Sequence, residues 1–333
     1  LTALGTPLSA PGGGKTTAAR RWSRKDLTFD KISFMLVFLA IPVIVYVIFV
    51  VSPFVQAAYY SLTDWSGFST GMNFIGVSNY VKLFQDSIFL KAMGNSVLLA
   101  IVLPIVTLGV ALVFATLVTI GGPSNGAIRG LRNSSLYRVI SFFPYVIPAI
   151  VIGLIWAQVY DPHSGILNGI LTGLGLGQFD SFAWLGDVRT AMPAVMFVIV
   201  WGLIGFYMVL FIAAIKGIPA EIYEAARIDG AGRFRTAITI TIPLIRDNIQ
   251  TAYIYMGILA LDAFVYMAAL ESGGGPSNST LVMSQRLFTT AFTKGQFGYA
   301  CAMGVVLALI TLLFAAIVFL VNRLTGGSND VAE

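Results

Sequence analysis

The chain has 333 residues, 57% of them hydrophobic and only 11% charged, with a mean hydropathy of +0.85. A soluble domain carries roughly 25% charged residues, so this chain cannot coat a globule of its size with polar groups, and disorder has the opposite composition. What remains is a polytopic, all-α membrane protein.

Residues 1–32 form a basic cytoplasmic tail. Within it, Gly12-Gly13-Gly14-Lys15-Thr16 imitates the end of a phosphate-binding loop, but Ser9 stands where such a loop needs its first glycine. The tail is read as flexible and close to anionic lipid. A helix crossing ~30 Å of hydrocarbon needs ~20 residues that are largely apolar. Six stretches qualify: about 33–59, 95–120, 137–160, 191–214, 246–270 and 297–322. The first is read as an uncleaved anchor, because its apolar core exceeds the roughly 7–15 residues of a signal peptide. After the third comes Asp161-Pro162-His163-Ser164-Gly165, which is turn chemistry and leaves His163, the only histidine, a surface residue. A single histidine also excludes a His-built metal cage. The sequons at Asn133 and Asn278 are read as accidental. Cys301, the single cysteine, falls in the sixth stretch and reads as a small packing residue. Residues 326–333 are a short tail. Of the 20 Lys and Arg, fifteen fall in the two tails and the second and fourth loops. That bias predicts six spans with both termini cytoplasmic.

Five of the spans have uncharged interiors, and the fifth in order carries Asp262. A carboxylate at mid-span costs about 2.5–3.5 kcal/mol on insertion scales, so it should face a bundle interior or an aqueous cavity. Tyr255, Asp262 and Tyr266 fall at i, i+7 and i+11, one stripe of a continuous helix. Two readings stand side by side: a sugar platform of rings beside an acceptor, or a structural carboxylate that caps or bonds a neighbouring helix.

The segment 216–244 has a pattern of its own. Gly217-Ile218-Pro219 ends the fourth span, and Pro219 suits the start of a new helix. Glu221 and Glu224 follow in early turns, where the helix dipole favours negative charge. Ala225-Ala226 offer a small, flat surface, and Asp229-Gly230 a turn that uses the freedom of glycine. A second amphipathic stretch follows, with Arg233 and Arg235 exposed and Ile238, Ile240 and Ile242 apolar, and Pro243 introduces the next span. The expected product is a short helix across the cytoplasmic face with acidic and small residues outward. Helices that rest on headgroups favour Lys and Arg instead, so docking to a protein is the better reading.

The run Ile218-Pro219-Ala220-Glu221-Ile222-Tyr223-Glu224-Ala225-Ala226-Arg227-Ile228-Asp229-Gly230-Ala231, with Ile240-Thr241-Ile242-Pro243-Leu244 after it, resembles the EAA loop of bacterial ABC importer permeases, above all the maltose-type carbohydrate-uptake branch. Phe143-Pro144, Gly153-Leu154-Ile155-Trp156, Gly165-Ile166-Leu167-Asn168, Trp184-Leu185-Gly186-Asp187, Gly274-Gly275-Pro276 and Gly298-Tyr299-Ala300 continue the likeness across residues 33–325. The chain departs from the branch at Tyr266, where an Asp often stands, and at Ser272, where a Thr does.

The resemblance implies a six-span permease of the bacterial cell membrane, one of two such subunits in a heterodimer. It would carry a sugar or oligosaccharide, with an N-acetylated sugar as one candidate, and take it from an extracytoplasmic solute-binding protein. A cytoplasmic ATPase dimer would use ATP and Mg; this chain would bind no cofactor or nucleic acid. Glu221, Glu224, Ala225, Ala226, Asp229 and Gly230 would meet the ATPase. Tyr255, Asp262 and Tyr266 would belong to the substrate path. An ion-coupled secondary transporter is the alternative; it would show inverted repeats and several intramembrane charges. A membrane enzyme would need a catalytic constellation that the spans do not carry.

Overall fold

A computed structural model describes residues 33–34, 36–69, 71–120, 130–131 and 133–324. The basic tail, the closing tail and most of the loop at 121–132 lie outside the described residues. The described residues are helical apart from loops and one isolated antiparallel bridge, Thr63 with Phe74. The chain divides into two compact units, Leu1–Val55 and Gln56–Glu333.

Four unbroken helices are long and apolar enough to cross a membrane: α1 (Leu36–Tyr60), α3 (Ser87–Ile120), α7 (Ala191–Lys216) and α13 (Phe297–Leu324). A short amphipathic helix, α2 (Ser78–Gln85), precedes α3. Two bent pairs of helices pass the same test together. The first is α4 (Ser134–Val146) with α5 (Ala149–Val159), bent by 96°; the second is α10 (Arg246–Leu261) with α11 (Phe264–Leu270), bent by 46°. Counting each pair as one span gives six. Between them lie α6 (Ile166–Gly173), α8 (Ala220–Ile228), the short α9 (Arg233–Thr236) and α12 (Met283–Phe288).

The third and fifth spans are therefore not the continuous rods expected of 137–160 and 246–270. At the first break the cause is local. Proline disfavours the helical conformation in the residue before it, and Ile147, which precedes Pro148, is extended at φ −78°, ψ 132°. Neither α4 nor α5, at ~20 and ~16 Å by helical rise, is long enough to cross alone. At the second break Asp262 leaves the helix at φ −107°, ψ 46°. Aspartate competes for local hydrogen bonds in non-helical conformations, so it favours helix ends over interiors.

The core is built around α7. An all-round apolar helix is a buried helix, and the central stretch of α7 is 56% buried against 6% for α13. It packs on α3 and α4, while α5 packs on α11 and α10 on both α3 and α13. Membrane helices approach through small residues. A Cβ on Gly205 of α7 would strike the backbone carbonyl of Ser141 in α4, and one on Gly153 of α5 would strike the Ala269 methyl of α11.

The connections at the end of the bundle away from α8 are tied by polar bonds between residues far apart in sequence. Asn79 donates to the carbonyls of Ser61 and Thr63, each at 2.8 Å. Lys91 Nζ donates to Ser277 O at 2.6 Å, and Asn95 Nδ2 to Leu281 O at 2.8 Å. Asp86 is the centre of the densest group. Its carboxylate caps α3 by accepting from the amides of Ile88 and Phe89, and it accepts from Arg286 at 2.9 Å and Tyr299 Oη at 3.2 Å. Burial works against the Asp86 anion, but the Arg286 hydrogen bond and charge, with the two amides, outweigh it and hold the carboxyl below the usual carboxylate range.

Three substitutions test this packing. Gly205→Ala sets a methyl against backbone that cannot rotate away and should cost about 2–3 kcal/mol, read as a lower thermal midpoint in detergent. Gly109→Ala in α3, where a Cβ meets nothing within 4 Å, should instead gain up to about 1 kcal/mol. Asp86→Asn leaves Arg286 without its anion, the two side chains being only 18% and 14% exposed. It should cost about 2–3 kcal/mol at pH 7, less than a fully buried pair. A carboxyl lowered in the folded state stabilises it above the ordinary value of 3.8 and loses that contribution as pH falls further. The gap between the two proteins should therefore be constant near neutrality and close only in strong acid.

Candidate functional site

The segment after α7 forms the short helix expected there. Pro219 stands at its N-cap with φ −55°, ψ 138°, Glu221 lies in its first turn and Arg227 in its last. Each charge complements the dipole at its own end. The C-terminus closes in a Schellman motif: Ala231 N–H donates to Ala226 O at 2.9 Å and Gly230 N–H to Arg227 O at 3.0 Å. The motif needs a left-handed residue, which Gly230 supplies at φ +76°.

α8 is two-sided. Tyr223 and Ala226 are buried, and the Tyr223 hydroxyl lies 3.2 Å from Thr241 Oγ1. Thr241 is fully buried on the return segment that runs from α9 to Leu244. The outward face carries Glu221, Ile222, Glu224, Ala225, Ile228, Asp229 and Gly230. The expected flat Ala225-Ala226 surface is thus corrected: Ala225 faces out, but Ala226 is 6% exposed and packs inward. Successive helical residues are ~100° apart, so both could not point the same way. Two outward apolar residues escaped the sequence reading, Ile228 at 86% exposure and Phe234 at 79%. Their signal was available: Ile228 is i+4 from Glu224, and Phe234 stands between two arginines.

The predicted stripe on the fifth span is interrupted. Tyr255 is 71% exposed on α10, Asp262 is exposed at its end, and Tyr266 is buried on α11 beyond the break. Tyr266 no longer continues the face of Tyr255 and Asp262. Instead its hydroxyl sits over Gly202, 3.1 Å from where a Cβ would stand. Tyr145 of α4 stacks on Phe206 of α7 with centroids 4.7 Å apart, and Phe206 stands edge-on to Tyr207 at 5.1 Å. Tyr145 of α4 and Tyr266 of α11 therefore both pack against α7. Tyr145, Phe206 and Tyr207 were not singled out in the sequence, since their grouping depends on how α4 and α7 meet. Elsewhere, Asp161 accepts from the amides of His163 and Ser164 at 2.9 and 2.7 Å, so the loop holding His163 is the turn expected of it. Among the described residues no cluster of His, Cys, Asp and Glu is large enough for a metal.

This architecture has known counterparts. Residues 118–326 match the family described as "Binding-protein-dependent transport system inner membrane component", and the chain belongs to that family as a multi-pass membrane protein. It is 64% identical to the diacetylchitobiose uptake system permease protein NgcF of Streptomyces coelicolor, over all of this chain and 92% of that one. It is 32% identical to the multiple sugar-binding transport system permease protein MsmF of Streptococcus mutans, over 82% and 89% of the two chains. In fold it is similar to a chain of the bacterial alginate ABC transporter crystallised with an alginate pentasaccharide-bound periplasmic protein. The TM-score is 0.75 at 20% identity, over 90% of this chain and 97% of that one.

Proposed function

We propose that this chain is the permease subunit of an ATP-driven importer for a sugar of the N-acetylated disaccharide class, with diacetylchitobiose as the first candidate. The observation that carries the substrate class is the 64% identity, end to end, with a diacetylchitobiose uptake permease. A second permease subunit completes the translocation path, and a solute-binding protein delivers the sugar outside. A cytoplasmic ATPase dimer uses ATP and Mg and docks on α8; both termini lie on that side of the membrane.

The outward face of α8 supports the docking. It carries acidic Glu221, Glu224 and Asp229 with small Ala225 and apolar Ile228, on a helix capped at its C-terminus by Gly230. α8 connects α7 directly to the segment leading into α10, the helices that carry Phe206, Tyr207 and Tyr255. Closure of the ATPase dimer would move α8 as a rigid body and carry these two helices with it. Tyr255, Asp262 and Tyr266 are assigned to the sugar path, joined by Tyr145 and Phe206. Rings of this kind suit pyranose faces, and a few convergent polar groups orient a ligand.

The reading is tested by uptake of labelled diacetylchitobiose into cells carrying the whole transporter. Uptake should disappear on ATP depletion; uptake that survives it but is lost with an uncoupler would sink the importer assignment in favour of an ion-coupled carrier. Gly230→Pro cannot adopt φ +76°. With Glu224→Lys, it should leave membrane insertion intact and reduce co-purification of the ATPase at least ten-fold. Asp262→Asn keeps shape and hydrogen-bonding capacity, so assembly should hold while uptake per assembled complex changes several-fold or its sugar selectivity shifts. Normal uptake per complex in both Asp262→Asn and Tyr266→Ala would remove these two residues from the path.

A further inference from the structure

A groove of about 590 Å³ runs between α3, α10 and α13. Its walls are apolar along most of their length, with Val97 and Ile101 on α3, Ile249 on α10 and Leu313 and Ile317 on α13. Tyr253 and Phe314, stacked with centroids 6.0 Å apart, also line it. One end differs in chemistry: there Arg246, Gln250 and Asn322 line the groove. Gln250 Oε1 accepts from Asn322 Nδ2, and the Arg246 guanidinium reaches Asn322 O at 3.4 Å. Arg246 opens α10, and Asn322 lies in the last turn of α13, so the polar end is on the side of the bundle that carries α8. Arg323 and Asp247, both exposed, are next in sequence to these residues, so among the described residues this end carries two cations and one anion.

An apolar trough with a cationic end has the shape and polarity of a phospholipid. The apolar walls alone would select nothing, because an acyl chain entering them leaves one hydrocarbon environment for another. Discrimination must come from the charged end. Basic pockets between membrane helices on the cytoplasmic side favour anionic headgroups, and a guanidinium matches phosphate oxygens in geometry as well as charge. We infer that this groove seats an anionic phospholipid, with its phosphate at Arg246 and one acyl chain between α3, α10 and α13. Only Ile245, fully buried, separates Arg246 from the segment that returns from α8. The lipid would therefore brace the joint between the docking loop and α10. The inference does not depend on which solute is carried.

The test uses the whole transporter complex in nanodiscs of equal phosphatidylglycerol and phosphatidylcholine, with retained lipid counted by native mass spectrometry. Wild type should retain phosphatidylglycerol over phosphatidylcholine by roughly five-fold, the effect of one basic residue near a membrane surface. Arg246→Gln should abolish the preference, and Arg246→Lys should keep most of it. Ile317→Trp fills the trough and should reduce retention of both lipids. Equal retention of the two lipids by wild type would overturn the proposal, as would an undiminished preference in Arg246→Gln. So would efficient cross-linking of Ile317→Cys to the partner permease, which would show that a protein helix covers the groove.

Discussion

A backbone amide in hydrocarbon has no water to turn to, and each unpaired group costs several kcal/mol. Irregular backbone at membrane depth must therefore be covered by protein, and this chain breaks two of its spans. The solution is reciprocal. The second half of the first broken span, α5, lies on the second half of the other, α11, with Gly153 against Ala269 at the contact. The first halves are held elsewhere, α4 on α7 and α10 on α3. At the breaks themselves, Ile147 N–H still donates to Pro144 O at 3.2 Å and Asp262 N–H to Ile258 O at 3.3 Å. One amide at each irregular turn thus keeps a helical partner.

The spans were legible because an uncharged run of span length has little alternative to a helix across lipid. The breaks were not. Pro148 is visible in the sequence, but so is Pro104, which sits buried inside the unbroken α3. Proline is tolerated in membrane helices where neighbours compensate, so the residue alone does not announce a bend. Asp262 was legible as an unusual residue but not as a helix end. The stripe through Tyr255, Asp262 and Tyr266 extended one helical period across a point where the helix stops, and Tyr266 was the residue misplaced. A similar limit hid the bonding of Asp86 to Arg286, two hundred positions apart: no local pattern encodes which loops meet.

The segment 216–244 shows the converse. Its helix is bounded by local chemistry, Pro219 at the start and Gly230 at the end, and both act as the sequence indicates. Which way each residue faces is not local. Ala225 and Ala226 are identical in composition and differ in fate because Tyr223 and Thr241 fix the rotation of α8. Ile228 and Phe234 were passed over as surface residues for a statistical reason: an apolar residue is assigned to the interior by default, although much of any protein surface is apolar.

The buried face of α8 is small, consisting of Tyr223 and Ala226, while its outward face holds an apolar residue at 86% exposure. Covalently α8 continues α7 through Gly217 and Ile218, and residues 229–245 lead from it to α10, whose helix ends at Asp262. Beyond that point α11 is held by α5 rather than by the loop. The break that local satisfaction makes tolerable thus also divides the bundle into a part tied to α8 and a part tied to α5.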